Sequence, residues 1–262
     1  MARDTDGLFP IDQGVPRMTR PSFALTAAAL LLASPLAGAQ TDKDGLWHGG
    51  LSLGGALSSG NNDSLTLSAN ADLTRATELD KLNLYGVGNY GRSRVNGVTA
   101  TTADLLRLGG RYDDNFDRDW FGFGGLEGET NKSGGVQSRY NLNAGLGYHL
   151  LRSDAHSLDL FGGLGYNNTR YTDDSRRDGA QALLGEESSH KLSETSTVKQ
   201  RLVYYPDSSG LGTRVTLDAS LATQIAGSWT LNTGLSSHYS SRVPEGTRRT
   251  ENLLTVGFGY KF

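Results

Sequence analysis

Few residues in this chain have the types and spacing that chemistry requires, and the nearest pair is Ser236 and His238 in LNTGLSSHY. Two apart on an extended chain, their side chains share one face. An imidazole beside a hydroxyl is the beginning of a hydrolase with a serine nucleophile. Such a site also needs an acid to orient the imidazole and donors for the oxyanion, and no nucleophile elbow or other fixed motif marks them. The other histidines, His48, His149, His156 and His190, are scattered. In DDNFDRDW, Asp113, Asn115, Asp117 and Asp119 alternate as at the start of a calcium loop, but the glycine and closing glutamate are missing at the required spacing. That stretch reads as a solvated turn. The absence of cysteine suits passage through an oxidising compartment, and a net charge of -3 is too weak to draw nucleic acid. The expectation is a protein without catalytic residues, without a metal or cofactor, and without a nucleic-acid partner.

The elements that would position any such group are strands. In YNLNAGLGYHL, Tyr140, Leu142, Ala144, Leu146, Tyr148 and Leu150 face one way and Asn141, Asn143, Gly145, Gly147 and His149 the other. About twelve such runs follow Gln40, starting near Trp47, Ser64, Lys81, Thr102, Trp120, Gln137, His156, Ala180, Thr195, Thr213, Ser228 and Arg248. The fifth is expected to change parity after Phe123, at a bulge. With 35 Gly, 6 Pro and no long apolar run outside the leader, the composition favours one all-β domain. A mean hydropathy of -0.42 does not exclude the membrane, because a spanning barrel strand alternates lipid-facing and lumen-facing residues.

Connections separate a barrel from a sandwich. The links after even-numbered runs are tight (ATELD, NFDRD, RSDA, SETS, AGS), and most of the others are longer (SRVNGVTAT, TNKSGGV, YTDDSRRDG, YPDSSGLG, SRVPEGTRR). Short turns on one rim and long loops on the other are the plan of an outer-membrane barrel with both termini at the periplasmic rim. Trp47, Trp120 and Trp229 open odd-numbered runs, with Phe116, Phe121, Phe123, Tyr260 and Phe262 near that rim; Tyr90, Tyr140, Tyr166, Tyr171, Tyr204, Tyr205 and Tyr239 gather at the other. Aromatic girdles at two levels mark a bilayer-spanning barrel. The fold expected is an all-β, single transmembrane antiparallel up-and-down barrel of about 12 strands behind a cleavable signal peptide. MTRPSFALTAAALLLASPLAGAQ has the basic start, apolar core and Ala-x-Ala end of that peptide. The expected divisions are residues 1–17 as a non-native upstream extension, 18–39 as the signal peptide, 40–46 as a short periplasmic segment and 47–262 as the barrel.

The closing LLTVGFGYKF alternates to the last residue, and Phe258, Tyr260 and Phe262 resemble the C-terminal signal read by the outer-membrane assembly machinery. GGLSLGGALSSGNNDSLTLS, LLRLGGRYDDNFDRDWFGFGGLE, RYNLNAGLGYHL and VGFGYKF together resemble the salt-induced outer-membrane proteins, over Trp47 to Phe262. The Ser-x-Gly-Asn turn at Ser58 to Asn61 and the Arg-Tyr-Asp step at Arg111 to Asp113 are the distinctive parts. The resemblance implies a barrel at the outer membrane and brings no catalytic residue with it.

Strand parity places Arg107, Arg111, Lys199 and Arg201 on inward faces, with Asp72, Asp159 and Asp218. These charges either line a watery pore or pair across a narrow lumen and fill it; the second is favoured. On outward parity at the outer rim, Arg92, Arg94, Arg170 and Arg248 are expected at the level of lipopolysaccharide phosphates. The partners expected are outer-membrane lipid, lipopolysaccharide and the assembly machinery. The function expected is non-enzymatic, in envelope integrity under salt or osmotic stress, the stress role resting on the resemblance. A narrow porin-like channel for small solutes or ions is the alternative, and a lipid-modifying enzyme a second one.

Overall fold

Alternation through the whole chain leaves each run with one apolar and one polar face, and closing the sheet on itself satisfies every strand without an open edge. The computed structural model describes residues 43–58, 62–95, 98–208 and 210–262. The upstream extension, the signal peptide, the start of the 40–46 segment and most of the Ser58 to Asn61 turn lie outside the described residues. Twelve strands follow in order: β1 (Trp47–Ser58), β2 (Asn62–Ala76), β3 (Asp80–Val95), β4 (Val98–Asn115), β5 (Trp120–Asn131), β6 (Val136–Arg152), β7 (His156–Tyr171), β8 (Arg176–Lys191), β9 (Ser196–Tyr205), β10 (Arg214–Ala226), β11 (Trp229–Ser240) and β12 (Thr250–Lys261). Each pairs antiparallel with its sequence neighbours, and β1 closes on β12. Closure runs in register from Gly50↔Lys261 to Leu53↔Phe258, and Gly49 and Phe262 exchange backbone hydrogen bonds of 3.0 and 3.1 Å. Among the described residues no helix is long and apolar enough to cross a membrane. The strands do the crossing.

The outer surface is apolar. Leu51, Leu53, Leu126, Leu142, Leu164, Leu184, Leu254 and Phe258 all point away from the lumen and are exposed. In water each such side chain would forgo roughly 1.5–3 kcal/mol of burial, so hydrocarbon is the medium that suits this face. Trp47, Trp120, Trp229, Tyr260 and Phe262 ring the rim where β1 begins and β12 ends, here the near rim; Tyr90, Tyr140, Tyr166 and Tyr204 ring the far rim.

Three expectations are corrected. The fifth strand keeps its parity: Phe121 and Phe123 are buried inside at 1% and 6% exposure, while Trp120 and Leu126 stay outside. The register irregularity of β5 against β6 lies instead between Glu129 and Asn131. Tyr171 and Tyr205 also turn inward, leaving the far girdle to the other tyrosines. The contrast of loop lengths is smaller than the alternation suggests, because β3 and β4 stay paired as far as Val95 and Val98 and β8 already begins at Arg176, which leaves 172–175 as the link after β7; the link 241–249 before β12 is long. Backbone pairing continues wherever a neighbour strand offers it, whether or not the side chains alternate.

The near-rim turns are built locally. Asp117 accepts the backbone N–H groups of Asp119 and Trp120, each at 2.8 Å, and these bonds hold its carboxyl below the usual range. That accounts for the acidic stretch as a turn closed by its own side chain. Gly227, with φ 52, makes the two-residue link between β10 and β11.

Candidate functional site: a cross-braced lumen

The inward faces of all twelve strands meet in the lumen, and its large side chains sit where small ones allow them. A Cβ on Gly147 would collide with the Phe121 ring, one on Gly185 with Phe161, and one on Gly109 with Tyr85. These glycines let an aromatic ring from the adjacent strand lie against the wall.

In the near half, Phe121, Phe123, Phe161, Leu183 and Val203 form one buried cluster around the Arg111 guanidinium. Its Cζ lies 4.5 Å from the Phe123 centroid and 4.6 Å from that of Phe161, a cation held on aromatic faces. Arg111 Nε donates to Asp113 Oδ1 at 2.6 Å, and its Nη1 is 3.6 Å from Glu187 Oε2. The Arg-Tyr-Asp step is thereby explained: Arg111 and Asp113 are two apart and share the inward face, while Tyr112 points to lipid. Lys81 Nζ stands 3.5 Å from both Asp113 and Glu187. Arg201 lies over Phe161 at 5.6 Å. His149 stacks on Phe121 and has Nδ1 2.7 Å from Asp159 Oδ1.

In the far half, Arg107 is the centre. Its Nε donates to Glu129 Oε2 at 3.2 Å and lies 3.9 Å from Glu127 Oε2. Glu127 also accepts from Tyr85 Oη at 2.6 Å and from Asn141 Nδ2 at 3.2 Å; Glu129 is 3.4 Å from Arg139 Nη1. On its other side, Arg107 Nη2 lies 2.8 Å from His238 Nδ1, which joins β4 to β11. Nearer the far rim, Asn131 Nδ2 donates to Glu251 Oε2 at 2.6 Å, joining β5 to β12. The turn at Gly134 and Gly135 packs on Glu251, Pro244 and Thr247. Buried charges are tolerated when each has an oppositely charged, hydrogen-bonding partner, and Arg107 and Arg111 are both met in this way.

Ser236 and His238 are indeed neighbours, with Oγ 3.0 Å from Nε2, and Asp218 completes a Ser-His-Asp group that spacing alone did not reveal. Its wiring differs from that of a nucleophile. An arginine only donates, and Arg107 meets His238 at both ring nitrogens, Nη2 at 2.8 Å from Nδ1 and Nη1 at 3.5 Å from Nε2; the shorter contact favours Nδ1 as the acceptor and the proton on Nε2. That nitrogen faces both Ser236 and Asp218, and the serine hydroxyl donates to the Asp218 carboxylate. The imidazole therefore has no free lone pair with which to take the serine proton.

Of the other residues singled out by parity, Asp72 accepts from Asn83 Nδ2 at 2.9 Å, and Lys199 is exposed on the inward face of β9. Arg92 and Arg94 are exposed on the outward face of β3. Arg170 is exposed and paired with Asp174 at 2.7 Å. Arg248 lies in the 241–249 link, outside β12, so it does not continue that strand's outward face. The four arginines thus come from β3, β7 and the 241–249 link. Phe258, Tyr260 and Phe262 point outward on the strand that closes the barrel. Lys81, Tyr85, Glu127, Glu129, Arg139 and Glu187 were missed by parity reading. For Glu127 and Glu129 the signal was present, since they share the parity of Phe121, and the assumed bulge discarded it.

Two cavities flank the braces. One of about 250 Å³ opens at the near rim between His48, Gln224, Thr230 and Lys261. The other, about 20 Å³, lies beside Arg139 and Arg214, the latter stacked on Tyr205 at 4.1 Å.

Solved structures similar to this chain include porins and the translocator domain of an autotransporter. They include the NanC porin (10% identity, covering 81% of this chain and 100% of that one, TM-score 0.47) and the translocator domain of autotransporter NalP from Neisseria meningitidis (13%, 82% and 87%, 0.43). The KdgM porin in complex with disordered oligogalacturonate is similar at 13% identity, 83% and 99% coverage and TM-score 0.41. Nothing among curated protein sequences matches the chain. A family model does match, over residues 51–262, and the chain therefore belongs to the family described as Protein of unknown function, DUF481.

Proposed function

We propose that this protein is a closed-lumen structural barrel of the bacterial outer membrane, non-enzymatic, supporting the envelope under salt or osmotic stress. The observation that carries the closed lumen is contact between distant walls: Arg107 on β4 reaches His238 on β11, and Arg111 on β4 approaches Glu187 on β8. An open pore keeps its walls apart. Buried ion pairs are screened by salt far less than exposed ones, so such braces hold when external salt rises. That property suits the stress role, which is otherwise drawn from the resemblance in sequence. Lipopolysaccharide at Arg92 and Arg94, and the assembly machinery at Phe258, Tyr260 and Phe262, complete the set of partners. Recording from the refolded barrel in planar bilayers tests the reading. The expected result is no sustained conductance from the native chain, and at least a roughly tenfold gain in Phe121→Ala/Phe123→Ala/Phe161→Ala, since hydrophobic constrictions set permeation. Sustained steps of equal size in both would overturn it.

A second reading, a narrow channel, is favoured by the exposed inward Lys199 and the 250 Å³ cavity at the near rim. On that reading small ions skirt the braces, and the same recording separates the two.

A further inference from the structure

Between the two aromatic girdles the outward faces are mostly apolar; Gln200, Thr233, Ser237 and Asn252 are polar there, Ser237 donating to Asn252 at 2.7 Å, and among the described residues the one acidic side chain is Glu186 on β8. Its orientation follows from its neighbours. Gln181 and Leu183 are buried in the lumen, Glu187 faces Lys81 and Arg111, and Leu184 is 59% exposed on the outside. No register irregularity interrupts β8 against β7 or β9, so Glu186 shares the outward side with Leu184. Its depth follows from pairing. Ala180 pairs with Tyr166 of the far girdle, Lys191 ends the strand at the near rim, and Glu186 lies about midway along β8 between them. On the other side Leu184 pairs with Tyr204 of the same girdle, so at about 3.3 Å per residue and a tilt of about 40° Glu186 sits roughly 5–15 Å below the far girdle, inside a belt about 25 Å tall. Its cross-strand partners are Leu160 and Leu202. Gln200, outward on β9, donates from Nε2 to Glu186 Oε1.

An ionisable group facing hydrocarbon is destabilising unless something polar covers it. The local bond uses one N–H of the Gln200 amide and one carboxyl oxygen. Among the described residues the second N–H, the amide oxygen and Glu186 Oε2 make no further hydrogen bond. We propose that the outward face of β7, β8 and β9 is the contact between two copies of this chain, with Glu186 and Gln200 of each hydrogen-bonded to Gln200 and Glu186 of the other. The occupant is a second copy because the pair is self-complementary. A two-fold axis along the membrane normal brings the spare N–H of one amide onto the spare carboxyl oxygen of the other, and the same contact recurs reciprocally. The amide offers both a donor and an acceptor, so it meets the carboxyl in either protonation state. Nearer the near rim the same face carries His156 and His190, with Nδ1 atoms 3.0 Å apart, and Ser196 with Thr223 at 3.2 Å, so its polar character continues below Glu186.

This inference requires the chain to be a membrane barrel but not that its lumen be closed, and heat-modifiable migration reports the barrel separately. The chain has no cysteine, so single cysteines report proximity without background. Leu184→Cys and Leu202→Cys, expressed in full-length protein and oxidised in intact outer membranes, are expected to give a disulfide-linked dimer. Leu53→Cys on β1 is expected to stay monomeric. Adding Glu186→Leu/Gln200→Leu should cut the dimer by about tenfold while leaving heat-modifiable barrel intact, because it removes the polar pairing and keeps the face compatible with lipid. The proposal is overturned by monomer at both positions, by equal dimer from Leu53→Cys, by dimer undiminished in the Glu186→Leu/Gln200→Leu background, or by linkage to a different protein.

Discussion

Arg107 shows what a single residue does in this lumen. It is 7% exposed and touches two carboxylates and an imidazole, so its removal takes from Glu127 the cation beside it and leaves Glu129 to Arg139. Breaking a buried pair by deleting one partner costs about 3–5 kcal/mol, far more than the pair contributes against an apolar replacement. Arg107→Met is therefore expected to destabilise the folded barrel by roughly that amount, read as a lower urea midpoint in detergent. Arg107→Met/Glu127→Gln should recover part of the loss, since the second change removes the charge left without a cation and keeps an oxygen for Tyr85 and Asn141. Equal stability of Arg107→Met and the native chain would mean that the braces contribute nothing. Ser236 and His238 belong at this scale as well: their hydrogen bonds make them a brace, and Ser236→Ala is expected to leave phospholipid turnover at background.

At the scale of elements, the closing strand and the far ends of the wall carry separate expectations. β12 ends with Phe262 bonded to Gly49 on β1, and deletion of Phe262 removes both backbone hydrogen bonds together with the outward terminal ring. Heat-modifiable barrel in the outer membrane should fall, while secretion across the inner membrane continues, because the leader and the terminal strand act at different membranes. Undiminished barrel from the truncated chain would refute this. On β3, Arg92 and Arg94 lie beyond Tyr90 on the same outward face. Arg92→Gln/Arg94→Gln is expected to lower the melting temperature in lipopolysaccharide and leave it unchanged in zwitterionic detergent, as bidentate phosphate binding needs a phosphate. An equal loss in both media would assign these arginines to the protein alone.

For the molecule as a whole, lumen charge decides what any residual current prefers. Arg107, Arg111 and Arg139 each face a carboxylate, whereas Lys199 is exposed and is opposed by Asp218, itself 47% exposed, and by Asp72, so any excess presented to water is small. Any current that passes is expected to favour anions weakly, read from reversal potentials in a salt gradient; cation selectivity would contradict it. The architecture itself was legible in the residues. A period of 2 repeated about twelve times, with tryptophans opening odd-numbered runs, leaves few ways to cover so many apolar faces, and a closed sheet in lipid is the one that also satisfies the backbone. The bulge assigned after Phe123 shows where that reasoning stopped. Periodicity sees a phenylalanine as apolar, but the side it takes depends on what waits inside, and here an arginine on β4 and glycines on β6 made the lumen the better place for Phe121 and Phe123. By itself the sequence determined the strands, most of their faces and the tryptophan rim, because these depend on residues near one another in the chain; the inward turn of Phe121, Phe123, Tyr171 and Tyr205 did not follow from it. Only the tertiary structure decided that Arg107 meets His238, that Asp218 joins Ser236, and that Glu186 looks into the membrane. Those outcomes depend on register and closure summed around the whole ring, and no local pattern encodes that sum.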